Sequence, residues 1–164
     1  MKRLFLILII MGMLIVGCDS SGDETPDLPT PPDTITFGDV TVEEAVYEEL
    51  NIPRDQEITP EDLKDLTVLD VSDKEVSDLS GLEYCSNLQT LVLTENSIAD
   101  ISPLASLTNL QELNLRGNSI FDVSPLASLT NLQTLHLIRN SIADISPLAS
   151  LTNMQHIWMN QKSI

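Results

Sequence analysis

Aromatic residues are scarce in this chain of 164 residues: one Trp, two Tyr and three Phe, or 4% in all. A core built on that supply must be aliphatic, and an exposed aromatic would stand out as a contact residue. Basic residues are few as well, eight against 25 acidic ones, for a formal charge of −17. Beyond Lys2 and Arg3 they form no cluster. Phosphate neutralisation is therefore excluded, nucleic acid is not expected as a partner, and an anionic membrane surface would repel the chain. The single long apolar run, Leu4 to Val16, is shorter than the roughly 20 residues that span a bilayer. There is no P-loop, nucleophile elbow, HExxH or paired CxxC. No enzymatic activity, catalytic residue, cofactor or metal is expected.

The N-terminus reads MKRLFLILIIMGMLIVGC, with two cations, a short apolar stretch, then small Gly17 before Cys18. This is the order of a secretion signal. Leu14-Ile15-Val16-Gly17-Cys18 resembles the bacterial lipobox, which implies a signal peptide over 1–17 and lipidation (palmitate-type acylation) of Cys18, the membrane then being met through that lipid only. With Cys18 acylated, Cys85 would have no partner, so no internal disulfide is expected. Residues 18–34 hold Pro26, Pro29, Pro31, Pro32 and several acids, with almost nothing to bury, and are expected to form a disordered tether.

From residue 35 the composition becomes that of a folded domain. TVEEAVYEEL places Val42, Ala45, Val46 and Leu50 on one helical face, with Thr41 and Glu44 spaced as a capping box. Thr59-Pro60 marks a second short helix. Residues 35–64 are thus expected to form a small helical cap.

The octet SPLASLTN then occurs three times, at 102–109, 124–131 and 146–153, a period of 22 residues. Four units, 65–86, 87–108, 109–130 and 131–152, share one template, LxxLxLxxN in the last three and Leu66, Leu69, Val71 and Lys74 in the first, and a fifth begins at Asn153. Cys85 takes the place filled by Leu107, Leu129 and Leu151, as a small buried hydrophobe. One unit buries too little to offset the entropy of ordering it, so the units must stack. The pattern is that of leucine-rich repeats. The expected fold is an α/β solenoid with short parallel strands on its concave face over 65–164. Asn96, Asn118 and Asn140 would stack inside and bond free backbone groups. Ser102, Ser124 and Ser146 would cap short helical turns on the convex back, beside a file of carboxylates, Asp78, Asp100, Asp122 and Asp144, that serves as local caps. Ser128 would face solvent.

The cap followed by NLQxLxLxxNxIxDISPLASLT resembles the bacterial internalin-type leucine-rich repeat proteins, many of them surface lipoproteins, over residues 37–164. That resemblance implies binding of a protein or glycan by the concave face, at the cell envelope on the extracytoplasmic side of a bacterial membrane. The outward columns agree: Asp70, Val92, Asn114, His136 and Trp158; Ser72, Thr94, Arg116, Ile138 and Asn160; Asp73, Glu95, Gly117, Arg139 and Gln161. Their residues vary while the octet is copied. Asp70, Asn114, Arg116, His136, Ile138, Arg139, His156 and Trp158 are the expected contact residues, since Trp and Arg are enriched in binding hot spots. Two alternatives stand beside this reading: an envelope lipoprotein that packs without a specific ligand, and a fragment of a larger surface adhesin, suggested by the small number of repeats and by Lys162 in the place of the stacking Asn.

Overall fold

A computed structural model describes residues 34–160. Cys18, the signal peptide, most of the tether, Gln161 and Lys162 lie outside the described residues. Helix α1 (Val40–Glu49) is followed by five three-residue strands: β1 (Val68–Asp70), β2 (Thr90–Val92), β3 (Glu112–Asn114), β4 (Thr134–His136) and β5 (His156–Trp158). They form one parallel sheet in chain order. Its register advances 22 residues per strand, with Leu69 opposite Leu91, Leu91 opposite Leu113 and Leu113 opposite Leu135.

The first four central leucines of the strands are buried, and 3₁₀ turns return the chain across the back. Three of these turns, Ser102–Ser106, Ser124–Ser128 and Ser146–Ser150, carry the copied SPLAS. Leu104, Leu126, Leu107 and Leu129 reach the same core from behind. Cys85 is fully buried among them, and burial, aided by the charge of Glu83, pushes its thiol up to about 12. It behaves as a hydrophobe and not as a nucleophile. Asn118 accepts from Ile98 N and donates to Leu93 O and Leu115 O, and Asn96 and Asn140 bond in the same way one turn before and after.

Three local expectations need correction. The cap of α1 is Asp39 and not Thr41: the Asp39 carboxylate accepts from Thr41 N at 2.9 Å, and its other oxygen accepts from Ser77 N at 3.3 Å, tying the helix to the first repeat. The second helix shrinks to a 3₁₀ turn, Asp62–Asp65, in which Thr59 and Asp62 bond each other reciprocally. The serines Ser102, Ser124 and Ser146 make no cap bond to the turns they open. Each instead donates its backbone N–H to the aspartate two residues earlier, at 2.8 Å, because a carboxylate two residues upstream reaches that N–H and a hydroxyl inside the turn does not.

Ser128 is exposed, as expected, and it also bonds the neighbouring turn. Its Oγ donates to Ala105 O of the preceding turn at 2.6 Å, and Ser106 and Ser150 donate likewise to Glu83 O and Ala127 O. The exposed back therefore carries a hydroxyl ladder between turns.

Candidate functional site: the outer face of the sheet

Because side chains alternate along a strand, the residues flanking each central leucine point away from the core. They form two rows. One is Asp70, Val92, Asn114, His136 and Trp158, as the sequence indicates. The other is Val68, Thr90, Glu112, Thr134 and His156, which the same alternation gives one residue to the other side of each central leucine.

At the β4–β5 end the rows carry rings. His136 and Trp158 stack at 3.9 Å between centroids with planes 9° apart, and His156 lies 5.6 Å from Trp158 at 15°. Parallel pairing places the first two residues side by side, and the indole keeps 39% of its surface exposed. Burial depresses the proton affinity of His136 below its ordinary value, partly opposed by the charge of Glu112. Burial therefore favours the neutral imidazole against the indole.

Beyond the strands, the third column turns through left-handed backbone, with positive φ at Asp73, Glu95, Gly117 and Arg139. Here the arginines find a partner. Glu95 Oε1 lies 3.4 Å from Arg116 Nη2 and 3.0 Å from Arg139 Nη1, so one carboxylate bridges both cations. Gly117 makes the bridge possible. A Cβ there would stand 2.6 Å from Glu95 Cδ, in the space the carboxylate uses to reach across to Arg139. The sequence placed Glu95, Gly117 and Arg139 in one column without showing that they form a unit.

The remaining expected residues fall outside this cluster. Asp70 stands on β1, at the opposite edge of the sheet from Trp158, and accepts from Ser72 N. Asn114 accepts from Arg116 N at 3.1 Å, and Ile138 is half-buried. Asn160, expected on the open face, folds back: it accepts from Arg139 N and donates to Asn140 O. Among the described residues no group of three or more His, Cys, Asp or Glu is placed to hold a metal ion. Asp78 and Asp144 are held below the usual carboxylate range by their bonds to Ser80 and Ser146, which is capping chemistry.

This geometry, a one-sheet parallel stack with a 22-residue register and internal asparagines, defines a leucine-rich repeat solenoid. A family model described as leucine-rich repeats (2 copies) matches residues 86–129 and 130–164. An internalin (inlF) of Listeria monocytogenes superposes with a TM-score of 0.72 at 39% identity, covering 82% of this chain and 39% of that one. Internalin C2 (inlC2) of the same organism gives 0.60 at 30% identity, covering 80% and 71%. The functional domain of its InlJ shares the fold, with a TM-score of 0.68 at 24% identity over 77% of this chain and 27% of that one. The chain thus spans about two-fifths of the inlF structure and most of the inlC2 structure. No curated protein sequence matches it. The chain belongs to the internalin-like leucine-rich repeat proteins, and no enzymatic family is indicated.

Proposed function

We propose that this chain is an extracytoplasmic recognition module, tethered to a bacterial membrane through a lipid on Cys18, that binds a protein partner with the outer face of its sheet. The observation that carries the reading is the contrast around one turn. The backbone-bonding back is copied, whereas the open face changes residue at every strand and ends in an exposed Trp158 stacked on His136, with Arg116 and Arg139 in the turns beyond the strands. Trp and Arg together are the side chains most enriched where binding energy concentrates. No described helix is long and apolar enough to cross a membrane. The proposed tether rests on the lipobox-like run that ends at Cys18. The internalin resemblance supports the same mode of binding.

Two measurements test this. Full chain immobilised on beads is exposed to cell-surface extracts beside the Trp158→Ala and Ser128→Ala variants. A partner retained by the wild type and Ser128→Ala, and lost with Trp158→Ala, supports the reading; retention by all three overturns it. Separately, Cys18→Ser should leave the membrane fraction, and unchanged fractionation would refute the lipid tether.

A further inference from the structure

A concavity lies beside the sheet, along the flank where each turn enters its strand. It holds about 610 Å³ and is lined by Thr67, four asparagines and four glutamines. The signal in the sequence is the recurring NLQ, and its inward leucine draws the eye away from the residues on either side.

The asparagine file is locked. Asn87 donates to Lys64 O, Asn109 to Ser86 O, Asn131 to Thr108 O and Asn153 to Thr130 O, all at 2.8–2.9 Å. Every one of these bonds uses the amide nitrogen, which leaves each Oδ1 as a fixed acceptor. The glutamine file is adaptable. Gln155 donates to Gln133 at 3.1 Å, while Gln89 and Gln111 stand exposed. Each turn so presents one fixed acceptor, and the turns carrying Gln89 and Gln111 add an exposed amide that can rotate to donate or accept.

Although the chain carries a net charge of −17, this groove has no charged side chain in its lining. A ligand matched to it is neutral and rich in groups that both donate and accept, which describes sugar hydroxyls. The rungs recur once per turn, at about the 4.8 Å separation of neighbouring strands. That is close to the length of one sugar in an extended β-1,4-linked chain, whose successive sugars are turned over but carry hydroxyls along both edges, so that each rung still meets one. A peptide strand repeats its side chains on one face at roughly 6.6 Å, out of step with the rungs. We infer that this flank is a second binding site, separate from the open sheet face, for an extended neutral polysaccharide lying along the solenoid with about one sugar per turn.

No aromatic lines the groove, so the sugars have nothing to stack on and affinity must accumulate from hydrogen bonds along the file. Binding should strengthen with ligand length until the four rungs are filled.

The test uses the full chain and two glucose oligomers of equal composition, cellopentaose, which is extended, and maltopentaose, which curls. Cellopentaose should bind measurably in titration calorimetry, more tightly than cellotriose and about tenfold more tightly than maltopentaose. Gln89→Glu with Gln111→Glu should weaken it about tenfold without lowering the melting temperature, since both side chains stand exposed. Trp158→Ala should leave it unchanged, which separates this site from the sheet face. No binding of either oligomer, equal binding of both, or loss of binding with Trp158→Ala would overturn the proposal. So would an extended polar peptide that displaces cellopentaose and binds more tightly.

Discussion

On the back of the solenoid, Ser102–Ser106, Ser124–Ser128 and Ser146–Ser150 are the same five residues; on the front, the row Asp70, Val92, Asn114, His136, Trp158 repeats none. The difference follows from what each side bonds to. Every back-face serine ladder bond runs from a hydroxyl to a backbone carbonyl of the turn before, and every aspartate cap runs to a backbone N–H. The serine bonds require the neighbouring turn to have the same backbone path, so each copy constrains the next, while the aspartate caps fix the shape of their own turn. Front-face side chains of the strands meet one another by stacking or by charge or, at Asp70 and Asn114, the backbone two residues on, and their identity can change without moving the neighbouring turn.

The first turn shows what happens where the neighbour is different. Gly81 stands where the later turns have Pro103, Pro125 and Pro147, in left-handed backbone with φ of 98°. A Cβ there would lie 2.7 Å from the ring of Phe37, which belongs to the N-terminal cap. The octet is abandoned where the cap docks. At the other end β5 has no following strand among the described residues, and Ile157 is 39% exposed where Leu69, Leu91, Leu113 and Leu135 are at most 1% exposed.

The comparison of back and front can be broken most severely through what they share. Asn118→Ala removes three bonds to the backbone in the middle of the stack, and unmet buried groups should cost about 3 kcal/mol in urea denaturation. Binding would then fall only as the protein unfolds. Next in size, Trp158→Ala should weaken the protein partner by about 2 kcal/mol while the melting temperature holds nearly constant. Equal losses in stability and affinity would erase the distinction between the two sides.

Arg139→Ala should weaken the partner by about 1 kcal/mol, with an effect that shrinks as salt is raised, because the Glu95 bridge is exposed and screened. Ser128→Ala should cost about 0.5–1 kcal/mol of stability and nothing in affinity, the reverse of Trp158→Ala. The smallest effect is that of acid. His136 in the fold has its proton affinity lowered from an ordinary value of 6.5, so the unfolded chain binds more protons. Its contribution to stability is therefore present above pH 6.5 and lost as pH falls below it. Asp78 and Asp144, lowered from 3.8, have the same sign in a more acidic window. Denaturation midpoints measured from pH 8 to pH 3 should fall in two stages, with His136→Gln removing the upper one.

Much of this architecture was legible before any coordinates. The period, the inward leucines, the asparagine stack, the buried Cys85 and the column containing Trp158 all follow from a 22-residue repeat laid over itself. Other features were not legible, for different reasons. Thr41 and Asp39 both have the chemistry of a helix cap, and only the backbone path decides which carboxylate or hydroxyl reaches the free N–H. Ser128 has the composition of a surface residue and a surface location, yet its hydroxyl lies against Ala105 O. The amide flank hid behind its own regularity, because Asn and Gln beside a core leucine have the pattern of simple solvation.

By itself the sequence determined the stack: one turn every 22 residues, with apolar positions that can be buried only against another copy. It also determined which residues become neighbours across turns, since i and i+22 must lie side by side in a parallel register. Tertiary structure decided which of those neighbours hold each other. Glu95 lies within reach of Arg116 one turn away and of Arg139 two turns away, and takes both because Gly117 leaves the space between them empty. Trp158 lies flat on His136 and only loosely against His156, because the rise between paired strands brings rings of one row closer than the alternation along a strand does. A repeat prescribes backbone spacing, whereas the choice among long side chains depends on the space and charge that their neighbours leave.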